Sequence, residues 1–397
     1  MNIGTFKIFN GKIITPGEII ECGCILISNG IITAISNENI DVRDAVEIDA
    51  AGNYVSPGFI DIHVHGGGGY DFMDGTEKAF LEIAIIHARY GTTAMLPTTL
   101  TSSKEALFHT LQVYEAANKN NISGACFLGL HLEGPYLSLN QCGAQDPQYI
   151  RNPDAAEYKE ILAATGFIKR WSAAPELEGA IEFGRYLTDK GILVSMAHTD
   201  AIYEEALKGF DNGYTLATHF YSAMSGVTRR NAYRFAGVIE AGYLIDGMDV
   251  EIIADGIHLP APLLKLVYKI KGAGRTALIT DAMRGAGMPE GESVLGNIDT
   301  GLKVIVEDGV AKLPDRSAFA GSVATADRLV RNMLNMAEVS LADAVKMMTL
   351  TPARIMKVDH LTGSLTVGKA ADIVLFDSNI NIQMTMVKGK IVYKTER

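Results

Sequence analysis

Pro57-Gly58-Phe59-Ile60-Asp61-Ile62-His63-Val64-His65-Gly66 reads as a buried apolar strand that ends in two histidines two positions apart. Side chains alternate faces along a strand, so His63 and His65 point the same way, one pleat apart, as two imidazoles must to share a metal ion. Gly66, Gly67, Gly68 and Gly69 follow, letting the backbone turn sharply away from the strand end and leave room for a ligand. In isolation the pair fits two packed core histidines equally well. The rest of the chain decides.

Apolar strand-like runs recur downstream, eight in all, at 57–65, 92–100, 124–133, 168–175, 192–198, 214–220, 250–258 and 275–282. Most are separated by helical stretches such as 77–90 and 201–209, with charges on one side and Ala, Leu and Ile on the other. This alternation predicts a parallel sheet, and eight units fit a closed (β/α)8 TIM barrel of the α/β class. The two ends differ. Short β-type runs at 6–9, 24–27 and 31–35 are answered by others at 372–376, 383–387 and 390–393. They predict a small β-sandwich domain built from both termini, residues 1–55 and 358–397, around a catalytic barrel at 56–357.

With 397 residues the chain has room for one large domain and one small one. A formal charge of −11 and a pI near 5.3 argue against a nucleic-acid or anionic-membrane partner, since those require clustered Lys and Arg. An anionic small substrate requires a local basic pocket. The first twenty residues lack a basic stretch followed by an apolar one, and no apolar run approaches the ~18 residues of a membrane span. Cys22, Cys24, Cys126 and Cys142 form no C-x-x-C pair, so free thiols in a reducing cytoplasm are expected.

Active sites of such barrels lie at the C-terminal strand ends. Those ends carry His63 and His65, then Thr98 and Thr99, His131 and Glu133, Glu176, His198, His219, Asp255 and His258, and Asp281. Six of the nine histidines fall there, together with acids that are costly to bury alone. His63, His65, His198 and His219 are nitrogen donors suited to Zn(II) or Fe(II), and Glu133 can bind or bridge ions. Asp281 is placed to take a proton from a water that such an ion brings to a pKa of about 7, and to hand it to the leaving group. A helix N-cap is its structural alternative. Glu176 and Asp255 read as orienting or hydrogen-bonding residues. His87, His109 and His360, away from the strand ends, read as structural or solvated.

The chain resembles the amidohydrolase superfamily and, more narrowly, the N-acetylglucosamine-6-phosphate deacetylases. PGFIDIHVHG (57–66), HLEGPYLS (131–138), SMAHTDA (195–201), ATHFYSAM (217–224), ADGIHLP (254–260), TDAMRGAGMPEG (280–291), AGSVATADRLVRN (320–332) and GSLTVGKAADIVLFD (363–377) carry the resemblance over nearly the whole length. It implies hydrolysis of an acetamido group on a sugar phosphate, releasing acetate. It also implies one ion held by Glu133, His198 and His219, and a second held by His63 and His65, with Glu133 bridging and Asp281 near both. Phosphate recognition is implied for Arg230 and His258 and for backbone N–H groups near Ser222 and Ala223. A homodimer is implied as well.

Two departures bear on the substrate. Gly143-Ala144-Gln145 stands where the family usually has Gly-Ala-His. Gln145 can donate a neutral hydrogen bond to the substrate carbonyl but carries no charge, and a second ion can supply the Lewis acid instead. Ser222-Ala223-Met224 replaces the family's Asn-Ala-Met. N-acetylglucosamine 6-phosphate is the expected substrate, with N-acetylgalactosamine 6-phosphate or another N-acyl amino sugar open. Another amidohydrolase, such as a cyclic-amide hydrolase or deaminase, fits less well, because Lys169 sits too early in its strand to bridge ions. A metal-free binding protein on the same barrel is the alternative outside enzymes.

Overall fold

The computed structural model describes residues 4–396; the side chain of Arg230 lies outside the described residues. The eight apolar runs form eight parallel strands in chain order: Phe59–Val64, Thr92–Thr99, Leu130–Glu133, Ile168–Ala173, Leu193–Met196, Tyr214–Ala217, Asp249–Ile252 and Thr276–Leu278. Each pairs in parallel with the next. The first and eighth strands are joined at the rim, where Asp281 N–H donates to His63 O and His65 N–H to Ala282 O, both at 2.9 Å. The result is the nearly closed barrel that the sequence predicts.

Helices cover the outside by burying one face. Glu77–Arg89 starts where Thr76 Oγ1 accepts from Ala79 N–H, and it buries Phe80, Ile83, Ala84 and His87 against the sheet. Tyr203–Phe210 starts two residues later than the expected 201, because Glu205 accepts the Ile202 N–H and so caps the helix there. Among the described residues no helix is long and apolar enough to cross a membrane.

Several strands end earlier than the sequence suggests. The runs 192–198 and 214–220 stop pairing at Met196 and Ala217, and the histidines beyond them turn into left-handed backbone, His198 at φ 46° and His219 at φ 34°. The run 57–65 also divides. Tyr54–Pro57 pairs with Ile373–Phe376 in the terminal sheet, whereas Phe59–Val64 enters the barrel. Gly58 stands at the crossing, where a Cβ would lie 2.1 Å from Thr93 Oγ1. Only glycine fits.

Both ends of the chain build one eight-stranded sheet. Its order is Lys390–Lys394, Ile382–Val387, Ile373–Phe376, Tyr54–Pro57, Thr5–Ile14, Ile19–Ser28 and Ile31–Ser36, with Val46–Asp49 also on Thr5–Ile14. It has a core of its own, including Ile8, Ile25, Ile27, Ile373 and Met386. A three-stranded antiparallel sheet, Gly291–Leu295, Leu302–Glu307 and Val310–Lys312, was not foreseen. Arg284 ties it to the loop after the first barrel strand, bonding Val294 O, Gly296 O, Gly69 O and the Asp74 carboxylate.

Candidate active site

A cavity of about 560 Å³ opens at the C-terminal ends of the strands, lined among others by His65, Glu133, His198, His219, His258 and Asp281. At its floor four imidazoles meet two carboxylates. Glu133 Oε1 lies 3.0 Å from His219 Nε2, 3.4 Å from His198 Nε2 and 3.5 Å from His63 Nε2, while Oε2 lies 3.3 Å from His65 Nε2. Asp281 Oδ1 is 3.4 Å from His63 Nε2 and 3.2 Å from His65 Nε2.

This spacing fits a metal centre. Ligands at about 2.0–2.2 Å from a tetrahedral ion stand roughly 3.3–3.6 Å apart, near most of these separations. His63, His65 and Glu133 form one group whose ligand atoms lie within 4.8 Å of one another, and Glu133, His198 and His219 form a second. The outer ring nitrogens agree. His65 Nδ1 bonds Thr98 O at 3.2 Å, His198 Nδ1 bonds Gln141 O at 2.7 Å, and His219 Nδ1 bonds Ser222 O at 3.1 Å. A carbonyl can only accept, so each of these three rings carries a proton on Nδ1 and turns Nε2 inward, where it could ligate an ion.

The charges reinforce one another. Burial works against the charge of Glu133, but His63, His198 and His219 hold its carboxyl well below the usual range. Burial likewise opposes the ionised Asp281, and His63 and His65 outweigh it. Burial opposes protonation of His63 and His65, yet Glu133 and Asp281 raise them to about 9 and about 10. Two carboxylates so held are poised to receive cations.

The remaining polar residues sort by their bonds. Gln145 is buried, with Nε2 donating to Glu133 Oε2 at 2.7 Å and Oε1 accepting from Thr101 N–H at 2.8 Å. Its amide therefore holds Glu133, which leaves one N–H of the expected carbonyl donor uncommitted. Glu176 accepts from Thr199 Oγ1 and Asp200 N–H, steadying the turn after His198. Asp255 accepts from His258 Nδ1 at 2.7 Å and fixes that ring beside Phe319. The Ser222 N–H donates to His219 O and is already used. No helix begins at Asp281; the next starts at Ala326. His87 bonds Gly66 O at 2.9 Å and props up the glycine turn.

Three buried charges in the barrel interior escaped the sequence reading: Asp61, Arg170 and Glu251. Each interrupts an apolar strand (Phe59–Val64, Ile168–Ala173, Asp249–Ile252), and that interruption was the available signal. The carbonyls of Thr98 and Gln141 carry no such signal.

A cavity at the C-terminal face of a (β/α)8 barrel, with four imidazoles and two carboxylates at its floor in groups that could hold metal ions, defines a class of hydrolases, and the sequence profile of the amidohydrolase family matches residues 54–392. The chain belongs to that family, which implies a divalent metal. Within it the chain is 35% identical to the N-acetylglucosamine-6-phosphate deacetylase of Bacillus subtilis (strain 168), over 96% of this chain and 95% of that one. It is 34% identical to the N-acetylgalactosamine-6-phosphate deacetylase of Escherichia coli O157:H7, over 92% and 93%. A mutant N-acetyl-D-glucosamine-6-phosphate deacetylase from Mycobacterium smegmatis, in complex with N-acetyl-D-glucosamine-6-phosphate, superimposes with a TM-score of 0.89 at 28% identity, covering 98% of this chain and 100% of that one. By these likenesses the chain is a member of the N-acetylhexosamine-6-phosphate deacetylase group.

Proposed function

We propose that the protein hydrolyses the acetamido group of N-acetylglucosamine 6-phosphate, giving glucosamine 6-phosphate and acetate, and that it does so with two divalent ions, Zn(II) or Fe(II). One observation carries the reading: Glu133 faces all four inward Nε2 atoms, one oxygen toward His63, His198 and His219 and the other toward His65. On this reading Glu133, His198 and His219 would hold one ion, and His63, His65 and Glu133 would hold the other.

Divalent ions held by these residues would supply an acidified water and a Lewis acid for the acetamido carbonyl. Asp281, ionised by its histidine neighbours, accepts the proton of the attacking water as the new C–O bond forms. It returns that proton to the sugar nitrogen as the C–N bond breaks, so the amine leaves neutral. Gln145 keeps Glu133 in place through both stages. His258, braced by Asp255, offers its other nitrogen to the substrate's phosphate. Arg230 and the backbone at Ala223 complete that pocket, and an arginine grips phosphate through two parallel hydrogen bonds.

The reading extends to a cytoplasmic homodimer. Four free cysteines support the compartment. The exposed hairpin of Thr228–Arg230 and Tyr233–Phe235, with Tyr233 outermost, supports the contact between subunits. The Escherichia coli relative favours a second substrate, N-acetylgalactosamine 6-phosphate.

Acetate release from both 6-phosphates and from the free sugars, with each metal supplied, tests the proposal. The expected result is turnover of N-acetylglucosamine 6-phosphate at a kcat/KM at least about 100-fold above the unphosphorylated sugar, as one or two charge-assisted bonds provide. Faster release from the galacto epimer selects the second substrate. No acetate from either phosphate with either metal overturns both.

A further inference from the structure

Beneath the four imidazoles lies a pair of charges that the proposed reaction does not use. Arg170, from the fourth strand, and Glu251, from the seventh, are wholly buried. Both oxygens of Glu251 accept from the guanidinium, Oε2 from Nη2 at 2.8 Å and Oε1 from Nη1. The other guanidinium N–H groups reach Ser195 Oγ at 3.1 Å, Thr218 Oγ1 at 2.9 Å and Ile62 O at 3.0 Å. All five donors are met, so the arginine has one orientation and holds the glutamate in one orientation. Such a pair is a poor way to gain stability, since desolvation consumes most of the attraction.

His63 lies above it. His65, His198 and His219 each give their Nδ1 proton to a backbone carbonyl, whereas His63 Nδ1 is buried without a partner. The group it faces is Glu251, whose Oε2 stands 3.8 Å away. An approach of roughly 0.6–1 Å makes this a hydrogen bond. Arg170 also holds the carbonyl of Ile62, next to His63 in the chain, so ring and backbone are referred to one anchor.

We propose that Glu251, locked by Arg170, is a positioning residue for His63: it takes the Nδ1 proton, turns Nε2 to the cavity floor, and sets the affinity of the His63–His65 half of the site for its ion. A carboxylate in this role makes the imidazole a stronger ligand than a carbonyl does. His63 thus differs from its three companions, and the His63–His65 half is tuned separately from the half built on His198 and His219. This rests on the two-ion reading above.

The test is a metal titration of the whole protein with Zn(II) and Mn(II), counting ions per chain and recording the Mn(II) electron paramagnetic resonance. The wild-type chain is expected to take two ions with an exchange-coupled spectrum. Glu251→Gln turns an N–H toward His63 and favours the wrong tautomer; it is expected to keep one tight ion, to bind the other 10- to 100-fold more weakly, and to lose the coupled signal at limiting metal. Because Glu251→Gln leaves Arg170 unpaired and can fail to fold, Arg170→Met/Glu251→Leu removes both charges at similar volume and is expected to give the same split in affinity. Folded variants that bind two ions as tightly as wild type overturn the proposal. Equal weakening of both ions also overturns it, by showing a general structural role. A wild-type chain that binds only one ion removes the two-ion reading itself, and the variants are not needed to see it.

Discussion

Asp281 is fixed by its backbone as firmly as by its charge. It adopts φ 48°, a conformation uncommon outside glycine, while its N–H donates to His63 O and its carbonyl accepts from Ser322 N–H. Asp281→Asn keeps these backbone bonds and removes only the proton acceptor. It should bind metal at wild-type stoichiometry and lose about 10²–10⁴-fold in kcat, by elemental analysis and acetate release on the same sample. Near-normal turnover would take Asp281 out of the mechanism. His63 and His65 make a second prediction. In the metal-free chain both are raised, to about 9 and about 10, so at neutral pH they carry protons that metal must displace. Metal affinity should therefore rise with pH across the neutral range and level off above about pH 10, with proton release at pH 7 seen by calorimetry in buffers of different ionisation heat. Affinity independent of pH between 6 and 8 would contradict this. The convergence of His63, His65, His198 and His219 on Glu133 was legible in sequence because histidine is scarce and these stand together at strand ends. The pairing of Arg170 with Glu251 is not legible in sequence, because a charge inside an apolar run shows its burial but not its partner.

Elements show a different balance. The strand Phe59–Val64 and its seven successors were legible from apolar runs, yet their ends were not, since His198 and His219 leave the ladder through left-handed backbone that no pattern of apolar residues announces. The small sheet beginning at Gly291–Leu295 was not legible: Gly291–Leu295 is largely exposed, Val310–Lys312 is buried but only three residues long, and Leu302–Glu307 breaks apolar–polar alternation at Val304-Ile305-Val306. Leu295 from this sheet lines the cavity, and Arg284 secures it. Arg284 and Asp74 form a mostly buried ion pair, so Arg284→Ala leaves an uncompensated carboxylate. It should cost about 3–5 kcal/mol, read as a lower urea midpoint at unchanged slope. A loss under about 1 kcal/mol would mean that the sheet is held by other contacts.

At the scale of the whole molecule, the largest core lies between barrel and helices and a separate one lies within the terminal sheet, with smaller clusters inside the barrel and under the small three-stranded sheet. The strand Tyr54–Pro57 and the turn at Gly58 connect the first two a few residues before His63. On the proposed reading, metal binding would draw together side chains from the first, third, fifth and sixth barrel strands and so favour the folded barrel over the unfolded chain. Ions at 1,000 times their Kd add about 4 kcal/mol each by mass action. Chelation should lower the melting temperature and resupply of the metal should restore it; a melting temperature indifferent to chelator would show that the ligands are held apart from any ion. The measurement that reaches the central claim most directly is anomalous diffraction from crystals grown with Zn(II) and recorded on both sides of its absorption edge. The account predicts two peaks at the cavity floor, one among Glu133, His198 and His219 and one among His63, His65 and Glu133. Peaks only at surface sites, with the four imidazoles turned to separate partners, would contradict it.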